Sequence, residues 1–227
     1  MRIFATSDIH GNKSIIEKLR SVDSKVNLIL ICGDVGGKGY SFRKTFKEAS
    51  AAQRMDAAYL DTFLKSLPSP SKFILGNDDW FEYDGQHYLS KPETIAGLRL
   101  VPFEWVGLTP FNTNREANDN KINYELTKLQ ADKNSIIVAH EPPYGCGDML
   151  LRGSRCGSFA VRSWIEQVQP KLWLCGHIHE DNSVNKICDT LVFNCACRYE
   201  TGELKGWLID TDSLEFERVF IKSQSNF

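Results

Sequence analysis

The stretch RIFATSDIHG, residues 2–11, indicates the first element of the fold. It starts as a short apolar run and stops at Asp8 and His10, a pattern typical of a buried β-strand with polar residues at its carboxyl end. The next segment, NKSIIEKLR at 12–20, has apolar residues at helical spacing behind Asn12, which suits the N-cap. The sequence therefore opens with a strand, a polar turn and a helix.

The same pattern of an apolar run that ends in polar residues recurs four times farther along the chain. The predicted strands are NLILICGD at 27–34, KFILGND at 72–78, SIIVAHEPP at 135–143 and LWLCGHIH at 172–179. Two longer helices are predicted between them, over 42–67 and 159–168, and prolines follow both. The alternation of strands and helices indicates sheets that are covered by helices on the outside.

The remaining segments predict an antiparallel sheet and one irregular region. Residues 95–108 and 187–221 alternate apolar and polar side chains, as in a largely antiparallel meander. Residues 111–124, FNTNREANDNKINY, are polar and aperiodic and are predicted to be a long loop or an insertion that faces the substrate. Neither a repeat nor a linker divides the chain, so we expect one domain over 1–227 with an α/β (α+β) fold of mixed sheets.

The composition excludes several classes of function. The chain has 227 residues, 42% hydrophobic and 25% charged, and its net charge of −2 does not suggest an extended nucleic-acid surface. No run of about 18 apolar residues is present to span a membrane, and the first residues lack the features of a signal peptide. We therefore expect a cytoplasmic protein. Its seven cysteines include no C-x-x-C pair and are predicted to be small buried residues in a reducing compartment.

Side chains that bind metal ions stand at the carboxyl ends of all five predicted strands. They are Asp8, His10, Asp34, Asn77, His140, His177 and His179, and they include four of the five histidines in the chain. Each alone has an ordinary alternative, because an Asp after a strand often caps a helix and a lone His is usually a satisfied surface or core group. Their recurrence at positions where loops converge in α/β folds favours one shared metal site.

The chemistry of these side chains favours a pair of metal ions. Mixed oxygen and imidazole ligands suit manganese, iron, zinc, cobalt or nickel better than calcium. Seven ligands are too many for one tetrahedral ion, but they fit two ions that share a bridging carboxylate. Two metals about 3.5–4 Å apart can bind a phosphate and lower the pKa of a bridging water.

The motifs SDIHG, CGDVGG, LGNDDW, AHEPPYG and CGHIHE follow one another along the chain, with ligand types from residue 8 to residue 179. Their residues and order resemble the calcineurin-like metallophosphoesterase superfamily, and the later segments resemble its small branch of metallophosphoesterase-domain proteins. The resemblance implies a four-layer αββα sandwich, with two mixed β-sheets flanked by helices and the site at the strand ends between the sheets. It also implies a binuclear metallophosphoesterase, in which a hydroxide that bridges the metals attacks phosphorus without a covalent enzyme intermediate.

The resemblance implies a role for each matching residue. Asp8, His10 and His179 would bind the first metal, Asp34 would bridge the two, and Asn77, His140 and His177 would complete the second. Manganese is the expected metal, with iron, zinc, cobalt or nickel as alternatives. Asp78 and His140 are the candidate catalytic residues. Because His177 and His179 are two positions apart, we expect an extended chain to point both rings to one side, toward neighbouring ions.

Asp78 marks a departure from the family pattern. Many members carry G-N-H-D or G-N-H-E, with a histidine near the leaving group, where this chain has GNDDW. An ionised Asp78 would repel a dianionic monoester more than a monoanionic diester, so the substitution is predicted to favour diesters or activated leaving groups. Alternatively, the phosphate charge would raise the pKa of Asp78 and leave it able to donate a proton.

Five other polar residues are secondary candidates. His87 would be either a surface-loop residue or a substitute acid, and Glu141 would either support a neighbouring ligand or face solvent. Among Arg152, Arg155 and Arg162, one would contact the substrate phosphate through paired hydrogen bonds, or all three would be solvated.

The sequence thus predicts a metal-dependent phosphohydrolase, most specifically a phosphodiesterase that cleaves small phosphate esters or nucleotides. The alternatives are a phosphomonoesterase or pyrophosphatase and, in a different class, a metal-binding scaffold with weak activity. The complete ligand set argues against the scaffold, because a decayed site usually loses a ligand first. A small ester or nucleotide is the expected partner, and the sequence carries no signal for a membrane or for an oligomeric state.

Overall fold

The computed structural model describes residues 1–38 and 45–222, and in this part of the chain eleven β-strands form two sheets. The strands are β1 (Arg2–Thr6), β2 (Leu28–Cys32), β3 (Ser71–Ile74), β4 (Glu93–Ile95), β5 (Leu98–Phe103), β6 (Ile136–Ala139), β7 (Leu172–Cys175), β8 (Val184–Ile187), β9 (Thr190–Asn194), β10 (Leu204–Asp210) and β11 (Phe216–Ile221). The first sheet has the order β11-β10-β1-β2-β3, and the second has the order β4-β5-β6-β7-β9-β8.

Both sheets are mixed, with parallel strands at the positions that carry the candidate ligands. In the first sheet β1, β2 and β3 are parallel, and β10 pairs antiparallel with β1. In the second sheet β5, β6, β7 and β9 are parallel, with β4 and β8 as antiparallel edge strands. Parallel neighbours end at the same edge of a sheet, so the polar residues that follow these strands are brought together.

Five α-helices in the described residues cover the outer faces of the sheets. They are α1 (Lys13–Lys18), α2 (Arg20–Asp23), α3 (Phe46–Lys65), α4 (Asp119–Leu126) and α5 (Phe159–Val168). Asn12 caps α1 by accepting hydrogen bonds from the N–H groups of Ser14 and Ile15, as its residue type predicts. Thr45 and Glu48 form a reciprocal capping box at the start of α3.

Three apolar layers hold the molecule together. One lies between the first sheet and α1 to α3, one lies between the sheets, and one lies between the second sheet and α4 and α5. Neighbouring residues of β1 enter different layers: Phe4 packs toward the helices, whereas Ile3 and Ala5 pack toward the second sheet. Strands buried on both faces require nearly continuous apolar runs, which is why the sequence signal was strong. The predicted four-layer αββα sandwich is confirmed.

The late strands differ from the predicted meander. β8–β9 and β10–β11 are antiparallel hairpins, but β9 pairs parallel with β7 in the second sheet, whereas β10 joins β1 in the first. The alternation of side chains predicted the strands correctly, but the single antiparallel sheet was wrong. Residues 195–203 carry the chain from the second sheet to the first, so the late strands are divided between the two sheets.

The predicted helix at 42–67 and the predicted loop at 111–124 also need correction. Helix α3 begins at Phe46, which is 54% exposed and packs edge-on against the Trp80 ring rather than in the core, while Phe42 lies outside the described residues. The predicted loop at 111–124 is helical from Asp119, where Ile122 and Leu126 are buried one turn apart. The polar residues around these two apolar positions hid the short amphipathic helix.

The cysteines follow the prediction in part. Five are buried, but Cys156 and Cys188 are exposed, and the described residues include no disulfide. No helix in residues 1–38 and 45–222 is long and apolar enough to cross a membrane.

Candidate metal centre

The seven predicted ligands lie together where the strands of both sheets end. Asp8, His10, Asp34, Asn77 and His140 are buried, and His177 and His179 are partly exposed. Backbone hydrogen bonds join the loops that carry them: Asp8 N–H donates to Gly33 O at 3.1 Å, and Gly176 N–H donates to His140 O at 3.1 Å. The first bond connects loops of the first sheet and the second connects loops of the second sheet, and a bond between the His140 ring and Cys32 O joins the two sheets.

Four of these residues have strained backbones. Asp8, His10, Asp34 and His177 have φ angles of 58°, 42°, 51° and 69°, in the left-handed region that L-residues rarely adopt. Each such residue costs on the order of 1–3 kcal/mol and persists only where surrounding contacts enforce it. The left-handed turns rotate these side chains out of the strand direction and toward one another, and His10, Asp34 and His177 line a shared cavity.

Two glycines make room for the carboxylates. A Cβ atom on Gly176 would overlap Ser7 Oγ and Asp8 Oδ2, and a Cβ atom on Gly76 would overlap Asp34 Oδ1. Close packing therefore requires glycine at both positions.

One group of ligands forms around Asp8. Asp8, His10 and His179 place ligand atoms within 4.8 Å of one another. His179 Nε2 lies 3.0 Å from Asp8 Oδ1, and the His10 and His179 rings are 5.5 Å apart between centroids. This group matches the predicted first metal site.

A second group forms around His140. Its Nε2 atom lies 3.1 Å from Asn77 Oδ1 and 3.5 Å from Asp34 Oδ2, and the His177 ring is 5.3 Å away between centroids. His140 Nδ1 donates to Cys32 O at 2.7 Å, which orients Nε2 toward the cavity.

Asp34 faces both groups, as a bridging carboxylate must. Its Oδ2 atom lies 3.6 Å from His10 Nε2 in the first group and 3.5 Å from His140 Nε2 in the second. Asp8 is also central, because it belongs with His10 and His179 and also with Asp34 and His140. The prediction assigned this central position to Asp34 alone.

The donor set fits metal ions. Both ring nitrogens of His10 are buried without a hydrogen-bond partner, a costly arrangement that a bound cation would satisfy. Burial lowers the pKa of His10 to about 4 and that of His177 to about 4, so these rings are neutral at pH 7, the form that binds metals. Burial opposes protonation of His140 too, yet Asp34 and Asp8 raise its pKa to about 10. A cation between these carboxylates would take the place of that proton.

The orientation of the last two histidines has a different cause from the one predicted. Residues 176–180 are not a strand, and His177 has a positive φ, so alternation along an extended chain does not apply. The predicted reason was wrong, although the two rings do lie in different ligand groups. A turn instead places the His177 ring beside His140 and the His179 ring beside Asp8, in different groups.

The two groups lie at the base of a cavity of about 890 Å³. We call residues 105–118 the wall, because residues 107–113 of this segment line one side of the cavity. The wall presents Leu108 and Phe111, which are 71% and 77% exposed. Trp80 and Ile178 add further apolar surface. Of the described residues that line the cavity, Lys38 is the one lysine or arginine.

Asp78 lies in this cavity beside the first group. Its Oδ2 atom is 3.9 Å from His10 Nδ1, and its Oδ1 atom accepts a hydrogen bond from Trp80 Nε1 at 3.1 Å. Burial, and then the charge of Asp34, raise the pKa of Asp78 to about 6. Lys38 also approaches the cavity, with its ammonium 4.7 Å from the centre of the Tyr199 ring.

Asp79 is a structural residue that the sequence prediction missed. It is fully buried, and its carboxylate accepts hydrogen bonds from the N–H groups of Val35, Gly36 and Gly76 at 3.1, 2.7 and 2.8 Å. These bonds tie the loop after β2 to the loop after β3. The sequence signal that could have identified Asp79 was its place as the second of two adjacent aspartates in LGNDDW.

Arg115 was also missed, within the segment predicted to be a polar loop. Its side chain is 9% exposed, its Nε atom donates to Glu104 Oε2 at 3.1 Å, and its Nη2 atom donates to Phe81 O at 3.0 Å. A further bond joins Arg115 to Asp79 O. The arginine therefore fastens the wall to the loop that carries Asn77.

Several secondary candidates lie outside the cavity lining. Arg155 pairs with Asp148 at 2.6 Å, Arg162 pairs with Glu166 at 3.0 Å, and Arg152 is exposed and does not line the cavity. The proposed phosphate contact from this segment therefore has no support in the described residues.

His87 and Glu141 are both buried, contrary to one of the alternatives for each. His87 is not a surface-loop residue, because its Nδ1 atom lies 3.0 Å from Asp61 on α3, and it does not line the cavity. Glu141 lines the cavity and accepts a hydrogen bond from Gly107 N–H at 2.9 Å, so it connects the wall to the loop of His140.

The sequence model of the calcineurin-like phosphoesterase family matches residues 1–181. The chain belongs to this family. The predicted resemblance is thereby confirmed, and membership identifies the chain as a metal-dependent phosphoric ester hydrolase. The family implies a dimetal centre, and the two ligand groups of this phosphoesterase are its candidates. The narrower resemblance to one small branch stays a prediction.

Sequence relatives of this phosphoesterase occur in distant organisms. It is 27% identical over 202 residues to an uncharacterized protein of Methanocaldococcus jannaschii, covering 86% of this chain and 87% of that one. It is 34% identical over 224 residues to a UPF0046 protein of Caenorhabditis elegans, covering 86% of this chain and 56% of that protein. The chain therefore spans about half the length of the worm relative.

Solved structures of low sequence identity share the fold. A protein of Thermus thermophilus is 15% identical with a TM-score of 0.63, covering 96% of this chain and 97% of that chain. A dimetal phosphatase from Danio rerio is 11% identical with a TM-score of 0.59, covering 98% of each chain.

Proposed function

We propose that this phosphoesterase is a phosphodiesterase that cleaves small phosphate esters or nucleotides with a pair of metal ions. Asp8, His10 and His179 would hold the first ion, Asn77, His140 and His177 would hold the second, and Asp34, which faces both groups, would be shared by them. One observation carries the proposal: the two ligand groups meet at Asp34 and Asp8 beneath one open cavity.

Manganese is the proposed metal, because mixed carboxylate, amide and imidazole donors suit it better than calcium. When bound, the ions supply positive charge for the phosphoryl oxygens and a nucleophile derived from water. The protein supplies the geometry, since strained loops and buried hydrogen bonds hold the ligands in place before substrate arrives.

Lys38 and Asp78 are proposed to act on the substrate directly. Lys38 stands at the edge of the cavity, where its ammonium attracts the negative charge of a phosphate ester. Asp78 takes the position of the family's histidine and lies against His10. A protonated Asp78 would donate to the leaving group, and an ionised one would repel it.

The preference for diesters follows from the charges and the shape of the cavity. Asp78 and Glu180 line it with carboxyl groups, against one ammonium among the described lining residues. Glu141 lines it as well, but burial raises its pKa to about 8, so it adds little negative charge at pH 7. A dianionic monoester is repelled by such a lining more strongly than a monoanionic diester. The cavity is also much larger than a phosphate group, and its apolar wall suits the organic substituents that a diester carries.

The test compares bis(p-nitrophenyl) phosphate with p-nitrophenyl phosphate in manganese-loaded protein. We expect a higher kcat/KM for the diester, and Asp78→His should shift the preference toward the monoester. If the native protein prefers the monoester and Asp78→His is unchanged, the diester assignment is wrong. Full metal occupancy without turnover of any ester would instead support the metal-binding scaffold.

A further inference from the structure

Asn77 is held between the second ligand group and the wall. Its Nδ2 atom donates to Thr113 Oγ1 at 2.6 Å, and its Oδ1 atom lies 3.1 Å from His140 Nε2. Its backbone oxygen accepts a hydrogen bond from Asn114 N–H at 2.9 Å. Two residues of the wall therefore contact the predicted amide ligand, although the wall itself contributes no ligand to either group.

Glu116 fixes the direction of this hydrogen-bond chain. Its carboxylate accepts the hydroxyl and the backbone N–H of Thr113, the latter at 2.7 Å. It also accepts the hydroxyl and the N–H of Thr109, at 2.5 and 3.0 Å. Although burial alone would raise the pKa of Glu116, the bonds from Thr109 and Thr113 hold it below the ordinary value. The carboxylate is therefore ionised at neutral pH and can only accept.

The consequence reaches the amide of Asn77. Because the Thr113 proton is directed to Glu116, Thr113 Oγ1 offers a lone pair to its other neighbour. The NH₂ group of Asn77 donates a hydrogen bond to that lone pair, so the amide oxygen of Asn77 faces His140. A flipped amide would place two acceptors together at Thr113 and turn an NH₂ group, which cannot bind a cation, toward the ligand group.

We propose that Thr113 and Glu116 are positioning residues that present the oxygen of Asn77 to the second metal ion. The inference rests on the proposed function, since it takes Asn77 as a ligand of that ion. It assigns a task to the wall that its polar, irregular sequence did not reveal.

Thr109, also in the wall, provides a matched control for Thr113. Thr109 donates its hydroxyl to the same Glu116 carboxylate but makes no contact with Asn77 among the described hydrogen bonds. If Thr113 matters only because it anchors the loop, then removing the Thr109 hydroxyl should have the same effect. Thr113→Ser keeps the hydroxyl and should preserve the orientation of Asn77.

The experiment measures manganese binding by isothermal titration of the full chain after chelator treatment. The proteins are native, Thr113→Val, Thr113→Ser and Thr109→Val, and thermal unfolding in EDTA compares their folding without metal. We expect two ions per native chain. Thr113→Val should weaken the second ion by about 10- to 100-fold, as loss of a hydrogen bond to a metal ligand typically does, and leave the first nearly unchanged. Thr113→Ser and Thr109→Val should bind both ions as the native protein does.

Each other outcome overturns the inference. Unchanged binding by Thr113→Val shows that the amide does not depend on Thr113, and leaves the proposed function intact. Equal weakening by Thr109→Val reduces the role of Thr113 to anchoring the loop. A native chain that binds fewer than two ions contradicts both the inference and the dimetal assignment.

Discussion

The base of the cavity and its wall are built in opposite ways. The base consists of the seven predicted ligands, which follow buried strands and are held by backbone bonds between loops. The wall, residues 105–118, lacks a helix or strand apart from its pairing at Val106 and Glu116, and the Glu116 carboxylate accepts bonds from two of its threonines. The candidate metal ligands are therefore positioned by the sheets, whereas a few polar side-chain contacts hold the wall in place.

The largest effect is expected at the base, for Asp34→Ala. This carboxylate faces both ligand groups, so its loss should weaken both ions at once. Metal ions supply several kcal/mol of transition-state stabilisation, and 1.36 kcal/mol is a factor of ten, so kcat/KM should fall by about 10³-fold or more. Steady-state kinetics on the diester, with metal content measured in the same sample, check this. Retention of both ions would contradict the bridging role.

A second large effect is expected for Gly176→Ala, because the new methyl group would displace Asp8 or Ser7. A misplacement of about 1 Å costs about 10²-fold in rate, which the diester assay would detect. The matched control is Gly107→Ala in the wall, where the methyl group would lie at an ordinary 3.5 Å from Glu141. Equal activity of the two variants would mean that the base tolerates movement as well as the wall does.

A loss of stability is expected for Arg115→Met in the wall. The arginine is nearly buried and joins the wall to the loop of Asn77, so its loss leaves Glu104 and backbone oxygens without their partner. We expect the free energy of unfolding in urea to fall by about 3 kcal/mol. Arg54→Met removes an exposed ion pair between α3 and Asp84 and should cost at most about 1 kcal/mol. Similar costs would show that Arg115 is not an anchor.

The smallest effect is expected for Phe111→Ser at the exposed edge of the wall. The ring lines the cavity while remaining 77% exposed, so we expect it to contact the organic part of a substrate. KM for bis(p-nitrophenyl) phosphate should rise a few-fold while kcat stays nearly unchanged. A fall in kcat with constant KM would instead place Phe111 near the reacting phosphate.

The sequence predicted the base far better than the wall, for a physical reason. Strands buried on both faces need continuous apolar runs, and metal ligands are restricted to a few residue types, so Asp8, His140 and their partners were visible as a repeated pattern. The left-handed turn at His177 was not visible, because tertiary contacts rather than local spacing impose it. The roles of Arg115 and Glu116 were hidden as well, since a buried arginine and a bonding glutamate look like ordinary polar loop residues.

Anomalous scattering at the manganese edge shows directly whether two metal ions share one cavity. Crystals of native protein soaked in manganese should give two peaks, one near Asp8, His10 and His179 and one near Asn77, His140 and His177, with Asp34 between them. His179→Ala should lose the first peak and keep the second. A single peak in the native protein, or peaks elsewhere, would contradict a two-metal site at these residues.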